Sequence, residues 1–491
     1  MNEQITPKQT SLKVNFIFNF INQLFILLTP LIITPYLSRM LLADGVGKQS
    51  FTTSIAGYFV LFTMLGIDIY GQKEIAKLRD NPQKASKLFR ELFLTKAITS
   101  GVGILGFAIF IFTQLESPYL NLYLIHLVTI AAAMFDINWF YQGREEFKYL
   151  SIRGILIKLI GIIGTFIFVK GPGDVWIAIL MISGPILILN ILLWLGLPKR
   201  LVKVNNDEKI DFKRHFKELA IYFIPTISIQ LYVYLDKTMI LLITKSESDV
   251  GLYEQAEKII KLGISVVGSF NLIMRSRLSY VKENNDLEAA KNYITKSAIL
   301  ILLLSIPMIF GYIIVAHNFV GWFLGTGFEF VEQLMYLFTP LILIMAVNGL
   351  FGNQYMIPFG LRKQMNIVFI SAAILNAVLN IIAINLWGIN GAVIVTLITE
   401  FFVAFIFAWY ARKSVDFKKI LKYLLKYTIV AGIMFGVLLL INPFLPGTIL
   451  KTVLQIAIGI TIYMVILLVI RDDFLMTNLK DVLNKIRKRG V

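Results

Sequence analysis

Arg39 and Lys237 occupy matching places in two similar stretches, Tyr36-Leu37-Ser38-Arg39-Met40 and Tyr234-Leu235-Asp236-Lys237-Thr238. Each stretch closes a long apolar run, where a charge is costly unless it faces protein or water. A guanidinium suits two-point contact with a phosphate and an ammonium suits a point contact, so the pair fits an anionic pyrophosphate-like group. The alternative is that both side chains reach to the membrane surface, or that Asp236 neutralises Lys237. Farther on, Glu254, Glu257, Lys258 and Lys261 fall at i, i+3, i+4 and i+7, one charged face on an otherwise apolar helix. Glu254 with Lys258, and Glu257 with Lys261, can pair along that face, which is expected either to line water or to form an ion-pair ladder between helices.

Other polar groups stand alone within apolar segments. Glu400 is near the middle of one and has no cation close in sequence; Asp136 lies inside the end of another. Unpaired carboxylates at such depth are candidates for a coupling ion, H⁺ or Na⁺, with Glu254 and Glu257 as further candidates; a packing role is the alternative for each. Asn15, Asn19, Asn22 and Gln23 make one polar face on the first helix, and Asn376 and Asn380 are a turn apart on a later one. These amides either meet sugar hydroxyls in a cavity or bind helix to helix. Lys96 and Lys158 sit a turn inside their segments and are expected to snorkel. The chain has no cysteine and three scattered histidines, His126, His215 and His317, so no metal site or other cofactor is expected. There is no G-x-x-x-x-G-K-[ST] phosphate loop, so no ATP-binding site is expected.

The elements that must carry these groups are membrane helices. Apolar residues make up 57% of the 491 and the mean hydropathy is +0.74, a composition that would aggregate in water. At about 20 residues per crossing it supports about fourteen transmembrane helices in an all-α polytopic protein. The spans fall near 14–40, 46–67, 91–113, 119–141, 152–169, 174–197, 218–243, 250–274, 294–316, 333–356, 364–387, 389–411, 422–441 and 448–470. The net charge of +17 then reflects Lys and Arg gathered in alternate loops rather than nucleic-acid binding. That asymmetry places both termini in the cytoplasm.

The landmarks repeat in order. Asp44-Gly45-Val46-Gly47 follows Arg39 as Ser248-Asp249-Val250-Gly251 follows Lys237, and Tyr141-Gln142-Gly143-Arg144 has a counterpart in Pro358-Phe359-Gly360-Leu361-Arg362. Helices 1–6 and 7–12 thus read as parallel repeats, a common transporter plan. The domains expected are 1–217 and 218–413 as six-helix bundles and 414–491 as an added helix pair with a basic tail.

Asn15-Phe16-Ile17-Phe18-Asn19 with Pro30, Pro35-Tyr36 and Arg39, the Tyr141-Gln142-Gly143-Arg144-Glu145 turn, Asp236-Lys237, and Asn353-Gln354 with Pro358 and Gly360 resemble Wzx-type polysaccharide repeat-unit flippases. These belong to the multidrug/oligosaccharidyl-lipid/polysaccharide exporter superfamily. The resemblance implies two six-helix bundles around a V-shaped central cavity in a bacterial inner (plasma) membrane. It implies undecaprenyl-pyrophosphate-linked oligosaccharide as substrate, moved to the outer leaflet for capsule, O-antigen or exopolysaccharide, with membrane lipids, a polymerase and a chain-length regulator as partners. Arg39, Lys237, Lys258 and Lys261 would meet the pyrophosphate, and Asn19, Asn376 and Asn380 the sugars. A multidrug extruder of the same superfamily is one alternative, against which the paired basic groups argue. A polytopic polymerase or ligase is another, but the longest outer loop, near 316–333, is too short for glycosyl transfer, so no enzyme is expected.

Overall fold

The computed structural model of the chain describes residues 12–78, 80–202, 211, 213–283 and 287–480. Its regular secondary structure among these residues is all helical, and it divides into two compact units, one ending at Glu254 and one beginning at Gln255.

The first unit holds α1 (Leu12–Met64), α2 (Ile67–Lys77), α3 (Pro82–Thr113), α4 (Leu120–Met134), α5 (Asn138–Gly143), α6 (Phe147–Phe168), α7 (Val175–Gly196), α8 (His215–Thr244) and the first turns of α9 (Glu247–Glu283). The spans expected at 14–40 and 46–67 are the two arms of α1, broken at Leu42, whose φ of 59° and ψ of 179° lie outside the helical region. A leucine held there is strained by about 1–3 kcal/mol, so the surrounding packing must impose the break. Asn81 starts α3: its side chain accepts from Lys84 N at 3.0 Å, and Pro82, lacking an N–H, fills the first helical position. The expected span 119–141 is likewise two pieces, α4 and α5, parted at Phe135-Asp136-Ile137.

An aromatic core joins α2, α3, α5 and α7. Phe89 stacks on Trp139 with ring centroids 5.4 Å apart, and Phe93 meets Trp194 edge-on at 4.6 Å. Gly71 lets that core close, because a Cβ there would lie 2.6 Å from the Trp139 ring. The outward faces are the reverse of a soluble protein's. Leu105, Ile109 and Phe112, one stripe of α3, are 65%, 65% and 73% exposed. A continuous apolar stripe of this kind is stable against lipid tails and not against water.

The second unit continues α9 and adds α10 (Leu287–Leu324), α11 (Phe330–Phe338), α12 (Pro340–Asn348), a π-helical stretch (Gly349–Met356), α13 (Arg362–Trp387), α14 (Ile389–Ala411), α15 (Phe417–Ile441) and α16 (Ile449–Val469). The α13–α14 hairpin turns at Gly388, whose φ is 56°. It is tightened by Gly391, where a Cβ would fall 2.1 Å from the Ala383 carbonyl oxygen. The last pair, α15 and α16, packs on α10 through Ile299, Leu302, Tyr427, Met434, Leu438 and Tyr463. Its base is pinned where fully buried Asp472 receives Lys426 at 2.5 Å.

Ten of the described helical stretches are long and apolar enough to cross a membrane, eleven when the bent run from Phe330 to Met356 counts as one span. The protein is therefore a multi-pass membrane protein, and the expectation of about fourteen spans is reached in part. By that measure α1 counts once in spite of its break, and α8 and α9 are not among the ten.

Candidate functional site

Two glycines set the geometry of the first unit. Gly47, early in the second arm of α1, lies against the first turn of α9: a Cβ on it would stand 1.7 Å from the Glu247 carbonyl oxygen. Gly251 answers it, since a Cβ there would stand 2.1 Å from the Ala43 carbonyl oxygen. Glycine at both positions is what permits this seam of backbone against backbone, and the pair is the one matched by sequence repetition.

Charged and hydroxylic groups line the seam. Lys237 of α8 forms an ion pair with Glu254 of α9, and Ser50 of α1 donates to Glu254 Oε2 at 2.9 Å. The neighbouring Asp236 accepts from Tyr253 Oη at 3.0 Å, and the Tyr58 and Thr238 hydroxyls lie 3.2 Å apart. At the rim, Lys48 lies 3.8 Å from Glu247, which also accepts from Tyr119 Oη at 2.8 Å. Arg39, the sequence counterpart of Lys237, has a different setting. It is exposed and donates to the Pro35 carbonyl at 3.1 Å.

A second polar cluster sits inside the same unit at the α4–α5 break. Asp136 takes an Asx turn there, accepting from Asn138 N at 2.7 Å and Asn138 Nδ2 at 3.0 Å. The carbonyls freed by the break are taken up by side chains: Ala132 O by Asn190 Nδ2, Phe135 O by Trp194 Nε1, and Asp136 O by Lys96 Nζ at 2.5 Å. Lys96 does not snorkel. It is fully buried, because the unwound backbone offers it an acceptor that lipid cannot. Lys158 also turns inward, to Asn22 Oδ1 at 3.3 Å. Arg153 completes the cluster through Asn138 Oδ1 at 2.5 Å, Leu189 O at 3.1 Å and Asn190 Oδ1.

A third group was not legible from sequence. Fully buried Glu91 of α3 receives Arg214 at 2.7 Å, His215 Nε2 at 3.0 Å and the Asp211 amide at 3.1 Å, while His215 Nδ1 lies 2.8 Å from Tyr70 Oη. It ties the segment before α8 to α2 and α3. Three contacts over such long sequence separations leave no local pattern to read.

In the second unit Glu257 pairs with Lys261 at 2.7 Å along α9, as its spacing predicted, and is itself buried while Lys258 is half-buried. Glu400 is buried in α14 and accepts from Asn348 Nδ2 at 2.6 Å, a partner supplied by α12. Asn376 and Asn380 are fully buried and bonded to each other, Asn380 Nδ2 to Asn376 Oδ1 at 3.1 Å. Asn19 lies on α1, its side chain outside the described set. Among the described residues no three His, Asp or Glu converge as a metal site.

A sequence model of the family described as polysaccharide biosynthesis protein matches residues 12–274, more than half of the chain. A protein of Escherichia coli (strain K12) named for O-antigen transport is 25% identical over 426 residues, covering 84% of this chain and 99% of its own. One of Shigella dysenteriae with the same name is 20% identical over 386 residues, covering 78% and 95%. Among solved structures, the lipid II flippase MurJ in an inward closed conformation matches with a TM-score of 0.72 at 16% identity. That match covers 96% of this chain and all of the other. An inward-facing multidrug resistance MATE family transporter of the MOP superfamily matches with 0.64 at 11% identity, covering 82% and 97%. The likeness to these two structures is one of fold.

Proposed function

We propose, from the premise that this chain belongs to the polysaccharide biosynthesis protein family, that it is a flippase for lipid-linked oligosaccharide. It moves an undecaprenyl-pyrophosphate-linked repeat unit from the cytoplasmic to the outer leaflet of the bacterial inner membrane, for surface polysaccharide. It is a transporter and not an enzyme, in line with relatives named for transport. The observation that carries the substrate class is Lys237. A cation kept 8% exposed inside an apolar helical protein, ion-paired and repeated in sequence by Arg39, is suited to an anionic head group. A multidrug extruder of similar fold has no evident use for that arrangement.

The rest of the reading follows from this. The remaining crossings needed for fourteen are the second arm of α1, α8 and α9, with 1–217 and 218–413 as repeated bundles and 414–491 as the added pair. Both termini are cytoplasmic, on the Lys/Arg asymmetry of the loops. Turnover draws on a proton or sodium gradient, with Glu400 and Asp136 as the carboxylates to carry it. Lys258 and Lys261 contribute to the positive charge met by the pyrophosphate, and a polymerase and chain-length regulator take the product onward.

The test is export in a strain whose own copy is replaced. Arg39→Ala is expected to reduce surface polysaccharide at normal protein abundance, with lipid-linked repeat units accumulating. Arg39→Lys is expected to keep part of the activity, since charge survives and the two-point geometry does not. Undiminished export by Arg39→Ala would remove Arg39 from the substrate path, and export surviving deletion of the whole chain would remove the function.

A further inference from the structure

The seam beside Gly47 and Gly251 contains an anion site that the chain itself already fills. Glu254 Oε2 is held by the Ser50 hydroxyl at 2.9 Å and by the Lys237 ammonium. All three residues are 8% exposed. An ammonium and a hydroxyl converging on one oxygen hold a phosphate oxygen as readily as a carboxylate oxygen. The three groups come from three helices: Ser50 from α1, Lys237 from α8 and Glu254 from α9. Glu254 reaches the donors because the first turn of α9 lies against α1, at the contacts that Gly47 and Gly251 allow. Occupancy of the site by Glu254 and closure of the seam are therefore a single arrangement.

We infer that Glu254 is a tethered stand-in for a phosphate. An anion of the pyrophosphate class takes Ser50 and Lys237 by displacing the Glu254 carboxylate, and that displacement loosens α9 from α1. The anion then acts as a ligand with different affinities for the closed and loosened seams, which is what a ligand needs in order to shift a conformational equilibrium. Its identification as the head group of a transported lipid rests on the function proposed above; the displacement does not.

The chain has no cysteine, so Ala43→Cys provides a single reporter at the seam, where Ala43 is buried. The measurement is the rate of maleimide labelling of the purified full chain in detergent. The added anions are pyrophosphate, undecaprenyl pyrophosphate, and sulfate at matched ionic strength. Pyrophosphate is expected to raise the rate about tenfold over sulfate, a shift worth ~1.4 kcal/mol. With Glu254→Gln added, the rate without anion is expected to rise and the half-saturating pyrophosphate to fall, because the competing carboxylate is gone. With Lys237→Met added, the pyrophosphate response disappears. Ser50→Ala, which alters no charge, should raise the half-saturating pyrophosphate about tenfold, as loss of one charge-assisted hydrogen bond would. Size-exclusion profiles and melting temperatures establish that each variant is folded.

A response to both pyrophosphate and its undecaprenyl ester supports the inference and the lipid source together. A response to pyrophosphate alone supports the displacement and counts against the flippase reading. No response to either anion, or a response that survives Lys237→Met, overturns the inference whatever the export assays give.

Discussion

Gly47→Ala is expected to abolish polysaccharide export, although it adds one methyl group. In an ordinary helix interior this substitution is favourable by about 0.5–1 kcal/mol. At position 47 the new Cβ would lie 1.7 Å from the Glu247 carbonyl oxygen, and the obstacle is backbone, which cannot rotate aside. The seam between α1 and α9 has to part, and Lys237 and Ser50 lose their hold on Glu254. Gly101→Ala is the control, since nothing lies within 4 Å of its added Cβ. That variant should export normally and be slightly more stable. Surface polysaccharide and protein abundance in the two strains, with thermal unfolding of the purified proteins, check the contrast. Full export by Gly47→Ala would mean that the seam is not required.

Lys237→Ala has the second large effect, and a double variant separates its two causes. Removing the ammonium takes from the buried Glu254 carboxylate the cation that α8 supplies. Breaking a buried pair from one side costs about 3–5 kcal/mol. Removing Glu254 as well takes away the carboxylate that this ammonium balanced, so Lys237→Ala/Glu254→Ala is expected to regain most of the lost thermal stability. It should not regain export, because the group that meets the head group is still missing. Recovery of both would make Lys237 a structural residue.

The fold class was legible because lipid imposes a simple rule: about 20 apolar residues per crossing leave runs that composition reveals. The family resemblance read from Asn15-Phe16-Ile17-Phe18-Asn19, the Tyr141 turn and Asp236-Lys237 is borne out by the family match over residues 12–274. The matched glycines 47 and 251 were visible as landmarks, and their physical reason, a shared close approach, needed coordinates. Interruptions were harder. The Leu42 break and the Phe135-Asp136-Ile137 break carry no proline or glycine at the break, and both depend on packing from other helices. Partners were hardest. Spacing along α9 gave Glu257 to Lys261 correctly, but it could not give Lys237 of α8 as a partner of Glu254. Lys96 was read as snorkelling because local sequence does not disclose the freed Asp136 carbonyl that receives it. For Glu400, the Asn348 partner lies on another helix for the same reason.

The most direct test of the account is transbilayer movement in liposomes holding the purified full chain and undecaprenyl-pyrophosphate-linked oligosaccharide. An impermeant glycosidase added outside reports how much of the oligosaccharide becomes accessible with time, with no nucleotide present. The account predicts that all of the oligosaccharide becomes cleavable when wild-type protein is present. In empty liposomes, and in liposomes carrying Lys237→Ala/Glu254→Ala, only the fraction already in the outer leaflet should be cut. An imposed proton or sodium gradient should change the wild-type rate. Equal accessibility with and without the protein would contradict the account.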